Sequence, residues 1–236
     1  MNISLLNPAP RRETLGANVL AQIKELLLTG QLMPGESLSL RSTAEALGVS
    51  VMPVREAVYQ LVADQALEVA PNKSVRVPQL SANQFEEITR IRLQIEGFAA
   101  EQAAMKIAPE SIGALSDLNH RLSTAMELPG NKVDAVRLNK ELHFSVYAAA
   151  QMPMLNKIIE TLWLRIGPIL NYDLRVGSER TFKKIAVKHH DDLIKALENR
   201  DGGGARSALC GDIESAFQSI YHKQYAEDQT KSANLI

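Results

Sequence analysis

The sequence predicts a mainly α-helical protein of two domains. Apolar residues recur at helical spacing along most of the 236 residues, whereas strand-like alternation is confined to one short stretch at 67–77. That alternation stops at Pro78, and a hydrophobic content of 45% is enough for two compact cores. We therefore expect a mobile N-terminal arm at 1–13, a first domain at 14–78, a second domain at 79–228 and a C-terminal tail at 229–236.

The first domain contains a pattern typical of helices joined by a tight turn. A leading helix is predicted from Thr14 to near Gly30. Further along, Gly48 can adopt the backbone angles of a sharp turn, and Ser50 can cap the next helix. Pro53 falls in the first turn of that helix, where no amide donor is needed. These residues predict two short helices and the turn between them.

The helix after this turn directs a charged side chain away from its buried face. Its apolar positions follow helical spacing at Val54, Ala57, Val58 and Leu61. Arg55 lies off this stripe, as do the side chains with which the second helix of a helix-turn-helix contacts the major groove. We therefore expect Arg55 to contact a ligand.

A small hairpin follows this helix. Residues 67–70 and 74–77 alternate between apolar and polar side chains, and residues 71–73 between them include Pro71 and Asn72, which favour turns. A hairpin directly after a helix-turn-helix predicts a winged helix-turn-helix with a small β-hairpin wing.

The first domain resembles a known family. The matching residues are Pro34, Gly35, Leu38, Ala44, Leu47, Gly48, Val49, Ser50, Pro53, Val54, Arg55, Glu56 and Ala57. They resemble the amino-terminal domain of GntR-type bacterial transcription regulators over residues 14–78, and turn, cap and core positions agree together. The resemblance implies that the partner is double-stranded operator DNA. Leu40, Val51 and Ser74 depart from the family pattern, which usually has Glu, Arg and Gly there, so fewer arginines reach the DNA.

Six residues are candidate DNA contacts: Arg41, Ser50, Met52, Arg55, Lys73 and Arg76. We expect the helix arginines to contact bases or phosphates, Ser50 and Met52 to approach the groove, and the wing cations to anchor the hairpin. Residues 1–80 hold as many acidic as basic side chains, so the cations must cluster on one surface to bind DNA. The alternative is a protein-interaction module in which the same charges are merely solvated.

The second domain is predicted to be an all-α helical bundle. Strand signals are absent after Ser81, and Ser81 and Gln84 have the spacing of a capping box. The run from Gly202 to Gly204 is interpreted as a turn between helices. The predicted helices lie near 81–107, 110–127, 132–150, 153–175, 179–198 and 204–225.

Polar side chains in this bundle have the spacing of a metal site. Asn139 and His143 are four residues apart and project from one face of a helix. Because one helix cannot complete a metal site, ligands must come from facing helices, as in other helical bundles. His190 and Asp212 lie on later predicted helices. The alternative is that both histidines are hydrogen-bonded core residues and that Asp212 is a surface charge.

The second domain resembles the FCD ligand-binding domain over residues 82–225. The matching positions are Arg92 and Glu96, Asn139 and His143, His190, Leu193, Ile194, Ala196 and Leu197, and Asp201, Ala205 and Arg206. The resemblance implies that Asn139, His143 and His190 hold a divalent ion, which helps to bind a small organic acid. Asp212 falls where the family has a third histidine. Carboxylate and imidazole ligands together suit zinc, nickel or manganese.

Arg92 is the candidate effector-binding residue. A planar guanidinium matches a carboxylate through two hydrogen bonds. The alternative is a structural pair between Arg92 and Glu96, which are four residues apart on the same predicted helix.

Together these observations predict a ligand-responsive transcription regulator that acts as a homodimer. The resemblance favours a repressor released by a small carboxylate metabolite. A metal-dependent hydrolase is the alternative, but the sequence has neither a His-Glu-x-x-His helix nor a nucleophile elbow, so we expect no enzyme. No apolar run reaches the roughly 20 residues of a membrane span, and a secretion signal is absent, so we expect a cytoplasmic protein without membrane contact.

Overall fold

The computed structural model describes residues 15–127, 132–176 and 179–225. The predicted N-terminal arm and C-terminal tail therefore lie outside the described residues. The described chain is mainly helical, with one small antiparallel sheet near the amino terminus, as the sequence predicts.

The first domain consists of three helices and a short sheet. Helices α1 (Leu15–Leu28), α2 (Leu40–Leu47) and α3 (Val51–Ala63) bury the expected faces. The predicted hairpin forms between β2 (Glu68–Val69) and β3 (Val75–Arg76).

The prediction of a two-stranded hairpin was incomplete. Strand β1 (Ser37–Leu38) pairs antiparallel with β3, which places β3 at the centre of a three-stranded sheet in the order β1-β3-β2. Two residues between a turn and a helix are too few to produce a sequence pattern, so β1 could be found only through its partner.

The turn between α2 and α3 has the predicted glycine geometry. Gly48 takes a φ of 64°, in the left-handed region that glycine tolerates best. Ser50 occupies the N-cap position of α3, but its side chain makes no capping hydrogen bond, so that part of the prediction was wrong. The side-chain cap is found at α2 instead, where the Ser42 amide donates to Ser39 Oγ over 3.3 Å.

The second domain is the predicted helical bundle. Ser81 and Gln84 form the predicted capping box at its first helix, with both reciprocal hydrogen bonds present. The first and last helices of the bundle pack along each other, four further helices contact this pair, and the helix at 109–127 packs on two of those four. The helices are α4 (Ala82–Lys106), α5 (Pro109–Glu127), α6 (Lys132–Ala149), α7 (Pro153–Val176), α8 (Glu179–Phe182), α9 (Ile185–Glu198) and α10 (Gly202–Gln224).

Two predicted features of the bundle were wrong. The single helix at 179–198 is divided into α8 and α9, because Lys184 takes a φ of 50° and interrupts the helix. The glycines from Gly202 to Gly204 form the first turn of α10 rather than a loop. Asp201 accounts for this difference, since its carboxylate accepts from the Gly204 amide and caps the helix.

The two domains pack against each other through α1. The Asn171 side chain on α7 donates to the Leu28 carbonyl over 3.0 Å. On α6, Lys140 bonds to Glu25 with an Nζ–Oε1 distance of 2.6 Å. Apolar residues of both domains belong to one continuous core. The first helix of the first domain is thus attached to helices α6 and α7 of the bundle.

Candidate functional site

A small polar cavity lies in the centre of the helical bundle. Its volume is about 30 Å³, which is room for an ion and water but not for a metabolite. Helices α4, α6, α7, α8 and α10 contribute its walls. The charged and polar residues that line it are Arg92, Asn139, His143, Arg180 and Asp212, together with Trp163.

Three predicted metal ligands meet beside this cavity. The Nε2 atoms of His143 and His190 are 3.2 Å apart. Asp212 Oδ2 lies 3.2 Å from the first nitrogen and 3.8 Å from the second. All three side chains are buried, with relative exposures of 4% or less. The alternative that placed Asp212 on the helix surface is therefore wrong.

Hydrogen bonding determines which ring nitrogen of His143 carries the proton and which one presents a lone pair to this cluster. Its Nδ1 lies 3.0 Å from the hydroxyl of Tyr147, and that hydroxyl donates to Glu96 Oε2 over 2.5 Å. Since the tyrosine proton is committed to Glu96, its oxygen accepts the Nδ1 proton of His143. The Nε2 of neutral His143 then has no proton and presents a lone pair.

The same logic applies to His190. Its Nδ1 lies 3.1 Å from Asn119 Oδ1, while the amide nitrogen of Asn119 donates to Asp191 and to the Val187 carbonyl. The amide oxygen therefore accepts the Nδ1 proton of His190, and Nε2 faces Asp212 as a second lone pair. Burial lowers the pKa of His190, which favours this neutral form.

The residues present fit a metal ion. Two lone pairs and a carboxylate oxygen face one another, and such a set of acceptors is stabilised by a shared cation. Ligand atoms around a tetrahedral ion with bonds of about 2.0–2.1 Å are about 3.3 Å apart, close to the separations found here. The second nitrogen of each histidine is held by a hydrogen-bonding partner, as is usual for metal ligands. The His143, His190 and Asp212 triad can thus bind a metal.

Asn139 lies at the edge of this arrangement. It lines the same cavity as His143, one helical turn away on α6. Its side chain is half-buried, and it does not belong to the group of three buried side chains whose ligand atoms lie close together. Asn139 can supply a weaker amide oxygen from the cavity side.

Asp212 is shared between the histidines and Arg180, a residue that the sequence analysis did not identify. Oδ1 of Asp212 accepts a short hydrogen bond from the Arg180 guanidinium, and the backbone oxygen of Asp212 accepts another from Nη2 over 3.3 Å. Burial alone would raise the pKa of Asp212. The Arg180 guanidinium outweighs burial and holds this pKa well below its usual range, so Asp212 is ionised.

Arg92 forms a second buried ion pair on the cavity wall. Its Nε and Nη2 donate to the two oxygens of Glu96 over 2.6 and 3.1 Å, and its guanidinium carbon lies 5.0 Å from the Trp163 ring centre. Burial opposes the charge, but Glu96 outweighs it and raises the pKa of Arg92. Glu96 also accepts from Tyr147 and Trp163, so its carboxylate is saturated with donors.

Some of these residues left signals that could have been found in the sequence. Asn119 is a polar position in the buried stripe of α5, between Leu115 and Leu122. Tyr147 lies four residues after His143, so the two side chains share one face of α6. Arg180 had no comparable signal, because its helix is only four residues long.

The predicted DNA contacts in α2 and α3 lie on the surface of the first domain. Arg41 and Arg55 are exposed, and among the described residues no ion pair restrains either of them. Ser50 is exposed at the start of α3, and Met52 has a relative exposure of 56%. Tyr59, which the sequence analysis passed over, is 63% exposed one turn after Arg55.

Within the part of the chain that the structure describes, the wing has one cation without an ion pair, Lys73, and one that is paired, Arg76. Lys73 is exposed at the hairpin turn with a φ of 65°, a conformation stabilised by the bond from the Ser74 amide to the Asn72 side chain. Arg76 Nε is instead 2.6 Å from Glu68 on the neighbouring strand, and both side chains are about two-fifths exposed. Contact with phosphate would require Arg76 to exchange partners.

The comparisons with known proteins agree with both halves of the structure. Residues 15–77 match the model of the gntR family of bacterial regulatory proteins, and residues 87–215 match the FCD domain. No helix among the described residues is long and apolar enough to cross a membrane.

Individual relatives extend over nearly the whole chain. The HTH-type transcriptional regulator McbR of Escherichia coli K12 is 34% identical, covering 86% of this chain and 90% of McbR. A solved structure of E. coli McbR/YncC has a TM-score of 0.81 at 31% identity, covering 89% of this chain and 98% of that one. The HTH-type transcriptional repressor RspR of E. coli K12 is 24% identical over 79% of this chain and 80% of its own.

These relatives are transcription regulators, which excludes the hydrolase and the protein-interaction module as readings of the chain. The triad of histidines and aspartate accordingly lies in the FCD domain of a transcription regulator. The chain is a DNA-binding transcription regulator of the GntR family, with an FCD domain as its C-terminal half.

Proposed function

We propose that this protein is a repressor that binds operator DNA as a homodimer and releases it when a small organic acid enters a metal-containing sensor site. The convergence of three buried acceptors, His143 Nε2, His190 Nε2 and Asp212 Oδ2, is the observation that carries this proposal. Such a cluster is costly to bury unless a cation completes it.

The proposed ion is held by His143, His190 and Asp212, with Asn139 as a fourth and weaker ligand. Two imidazoles and one carboxylate suit zinc, nickel or manganese, and the replacement of a third histidine by Asp212 favours the harder ions of this group. When bound, the ion supplies a positive centre that attracts a carboxylate. The protein contributes the orientation of both imidazoles through Tyr147 and Asn119.

The proposed effector is a small carboxylate metabolite, and Arg92 is its candidate contact on the wall formed by α4. The Nε and Nη2 atoms of Arg92 are bonded to Glu96, which leaves Nη1 as the atom for an effector. Because the cavity holds only about 30 Å³, effector binding must enlarge it. This requirement links effector binding to movement of the surrounding helices.

Helix α6 offers a route from the sensor site to the DNA-binding domain. One face of α6 carries Asn139 and His143 at the cavity, and the adjacent residue Lys140 bonds to Glu25 on α1. A shift of α6 therefore changes the position of α1 and, with it, the spacing of the two DNA-binding domains of a dimer.

The proposed DNA contacts are Arg41, Ser50, Met52, Arg55, Lys73 and Arg76. All six belong to α2, the start of α3 or the wing, which meet the major groove and its flanking phosphates in winged helix-turn-helix proteins. A homodimer would place two such surfaces on a two-fold symmetric operator in the cytoplasm.

The DNA-binding part is tested by selecting duplexes from a random library with the full-length protein. We expect an enriched sequence with two-fold symmetry, bound by two chains. Arg121→Ala, which changes an exposed arginine of α5, is the matched control for surface charge. Enrichment of an asymmetric site bound by one chain would contradict the homodimer.

The sensor part is tested with the selected duplex. The DNA affinity of metal-stripped and reloaded protein is measured while small carboxylates are added. We expect release only from the reloaded protein, because the ion supplies part of the carboxylate site. Equal release from both forms would contradict a role for the ion.

A further inference from the structure

Arg180 carries an inference that deepens the proposed function and rests on it. We propose that Arg180 is a carboxylate anchor of the sensor site, held by Asp212 in the ligand-free protein and transferred to an anionic effector when Asp212 becomes a metal ligand. Arg180 is thus both a competitor of the metal and a partner of the effector.

The contacts of Arg180 support this double role. Its Nη2 is bonded to Oδ1 and to the backbone oxygen of Asp212, and its Nε donates to Ser215 Oγ over 3.0 Å. Ser215 Oγ in turn donates to the Asp212 backbone oxygen over 2.9 Å. The guanidinium therefore neutralises, through Oδ1, the same carboxylate whose Oδ2 faces the histidines, and it lies on the cavity wall with 7% relative exposure.

The element that carries Arg180 is suited to movement. Helix α8 is only four residues long and ends before the left-handed residue Lys184. Phe182 on this helix is 88% exposed, so it does not anchor α8 to the bundle core. Among the described residues, no side chain of α8 belongs to the hydrophobic core, and Arg180 bonds α8 to α10.

Charge balance identifies the class of effector. The charged side chains at the cavity cancel in pairs, Arg92 with Glu96 and Arg180 with Asp212. A divalent ion adds two positive charges to this buried site, and buried charge without compensation is costly. A small dicarboxylate supplies two negative charges and leaves no excess, whereas a monocarboxylate leaves one positive charge. We therefore expect a small dicarboxylate, with one of its carboxylates on Arg180.

The test is calorimetric titration of metal-stripped, full-length protein with nickel, alone and with sodium malonate or sodium acetate at matched ionic strength. Nickel complexes of each anion in solution are subtracted from the binding constants. In the wild type, malonate should tighten nickel binding by about fivefold or more, and acetate by less.

Arg180→Gln should behave differently in both respects. Nickel alone should bind about tenfold more tightly than to the wild type, because Asp212 no longer has a competing cation. Malonate should then give no further tightening. Lys183→Gln, at an exposed position next to the same segment, should match the wild type. Ser215→Ala keeps the charge of Arg180 but removes one of its hydrogen bonds. It should change nickel affinity and malonate coupling in the same direction as Arg180→Gln, but by less. This variant therefore tests the inference even if Arg180→Gln folds poorly.

The outcomes separate the inference from the function on which it rests. If nickel binding is lost in His143→Ala but Arg180→Gln retains malonate coupling, or binds nickel no more tightly than the wild type, the role of Arg180 is overturned and the metal site stands. If wild type and His143→Ala both fail to bind nickel, the metal site and the inference are overturned together.

Discussion

The proposed DNA-binding surface and the proposed sensor cavity differ in how their charged residues are paired. Arg55 and Lys73 are exposed and without an ion pair among the described residues, whereas Arg92 and Arg180 are buried and each is bonded to a carboxylate. DNA phosphates supply the negative charge for binding, so an exposed cation can remain solvated by water until DNA is bound. A buried cation must already be paired when the protein folds. Substitutions of the exposed cations should therefore change binding only. Substitutions of the buried charged residues should change both binding and the free energy of unfolding.

The largest effect is expected from Glu96→Gln. This change leaves Arg92 buried without a countercharge and weakens the bonds from Tyr147 and Trp163. The free energy of unfolding should fall by about 3–5 kcal/mol, measured by urea denaturation. Glu86→Gln, which removes an exposed pair with Arg90, should cost at most about 1 kcal/mol. Similar losses in the two variants would show that the buried network is not what stabilises the bundle.

Asn119→Ala tests whether orientation of His190 matters for metal binding. Without the amide oxygen, the proton on Nδ1 has no fixed partner and Nε2 is no longer directed at Asp212. Metal affinity should fall by about 10–100-fold in protein that still folds, as judged by circular dichroism. His120→Ala, at the next and exposed position of α5, is the control and should bind metal as the wild type does. Wild-type affinity in Asn119→Ala would mean that the imidazole is oriented by packing alone.

Arg55→Ala should act only on DNA binding. We expect a loss of roughly 1–3 kcal/mol with the selected duplex and unchanged stability, because the side chain is exposed. The dependence of affinity on salt distinguishes two roles. A uniform loss on all sequences with a smaller salt slope would make Arg55 a phosphate contact, whereas relaxed specificity at one base pair would make it a base contact.

The smallest effect is expected from Glu68→Gln in the wing. The exchange frees Arg76 from a partly exposed ion pair and removes a negative charge from the proposed DNA-binding surface. DNA affinity should rise by at most about 1 kcal/mol, more at low than at high salt. Asp117→Asn in α5 removes a comparable charge far from the wing and should leave affinity unchanged. Weaker binding by Glu68→Gln would mean that the pair with Glu68 holds Arg76 in its productive position.

Much of the fold could be predicted because its determinants are local. Gly48, Pro53 and the capping box of Ser81 and Gln84 act within a few residues, so their spacing is visible in the sequence. Strand β1 was missed because it forms only by pairing with β3, which is distant along the chain. The break at Lys184 was missed because a lysine with positive φ carries no sequence signal.

The candidate site was predictable in part for the same reason. Asn139 and His143 share a helical face, which spacing alone indicates, whereas His190 and Asp212 were found through the family resemblance. Arg180 could not be found, because its role arises from α8 folding back onto α10. The sequence analysis gave a pair between Arg92 and Glu96 as the alternative to effector binding by Arg92, and the structure contains that pair.

The most direct test of the central claim is the metal content of untagged, gently purified protein, compared with His143→Ala at matched concentration. The two imidazoles and Asp212 should hold close to one divalent ion per chain in the wild type, and elemental analysis of His143→Ala should find almost none. Absence of metal from both proteins, even after incubation with zinc, nickel or manganese, would contradict the claim that this sensor domain is built around an ion.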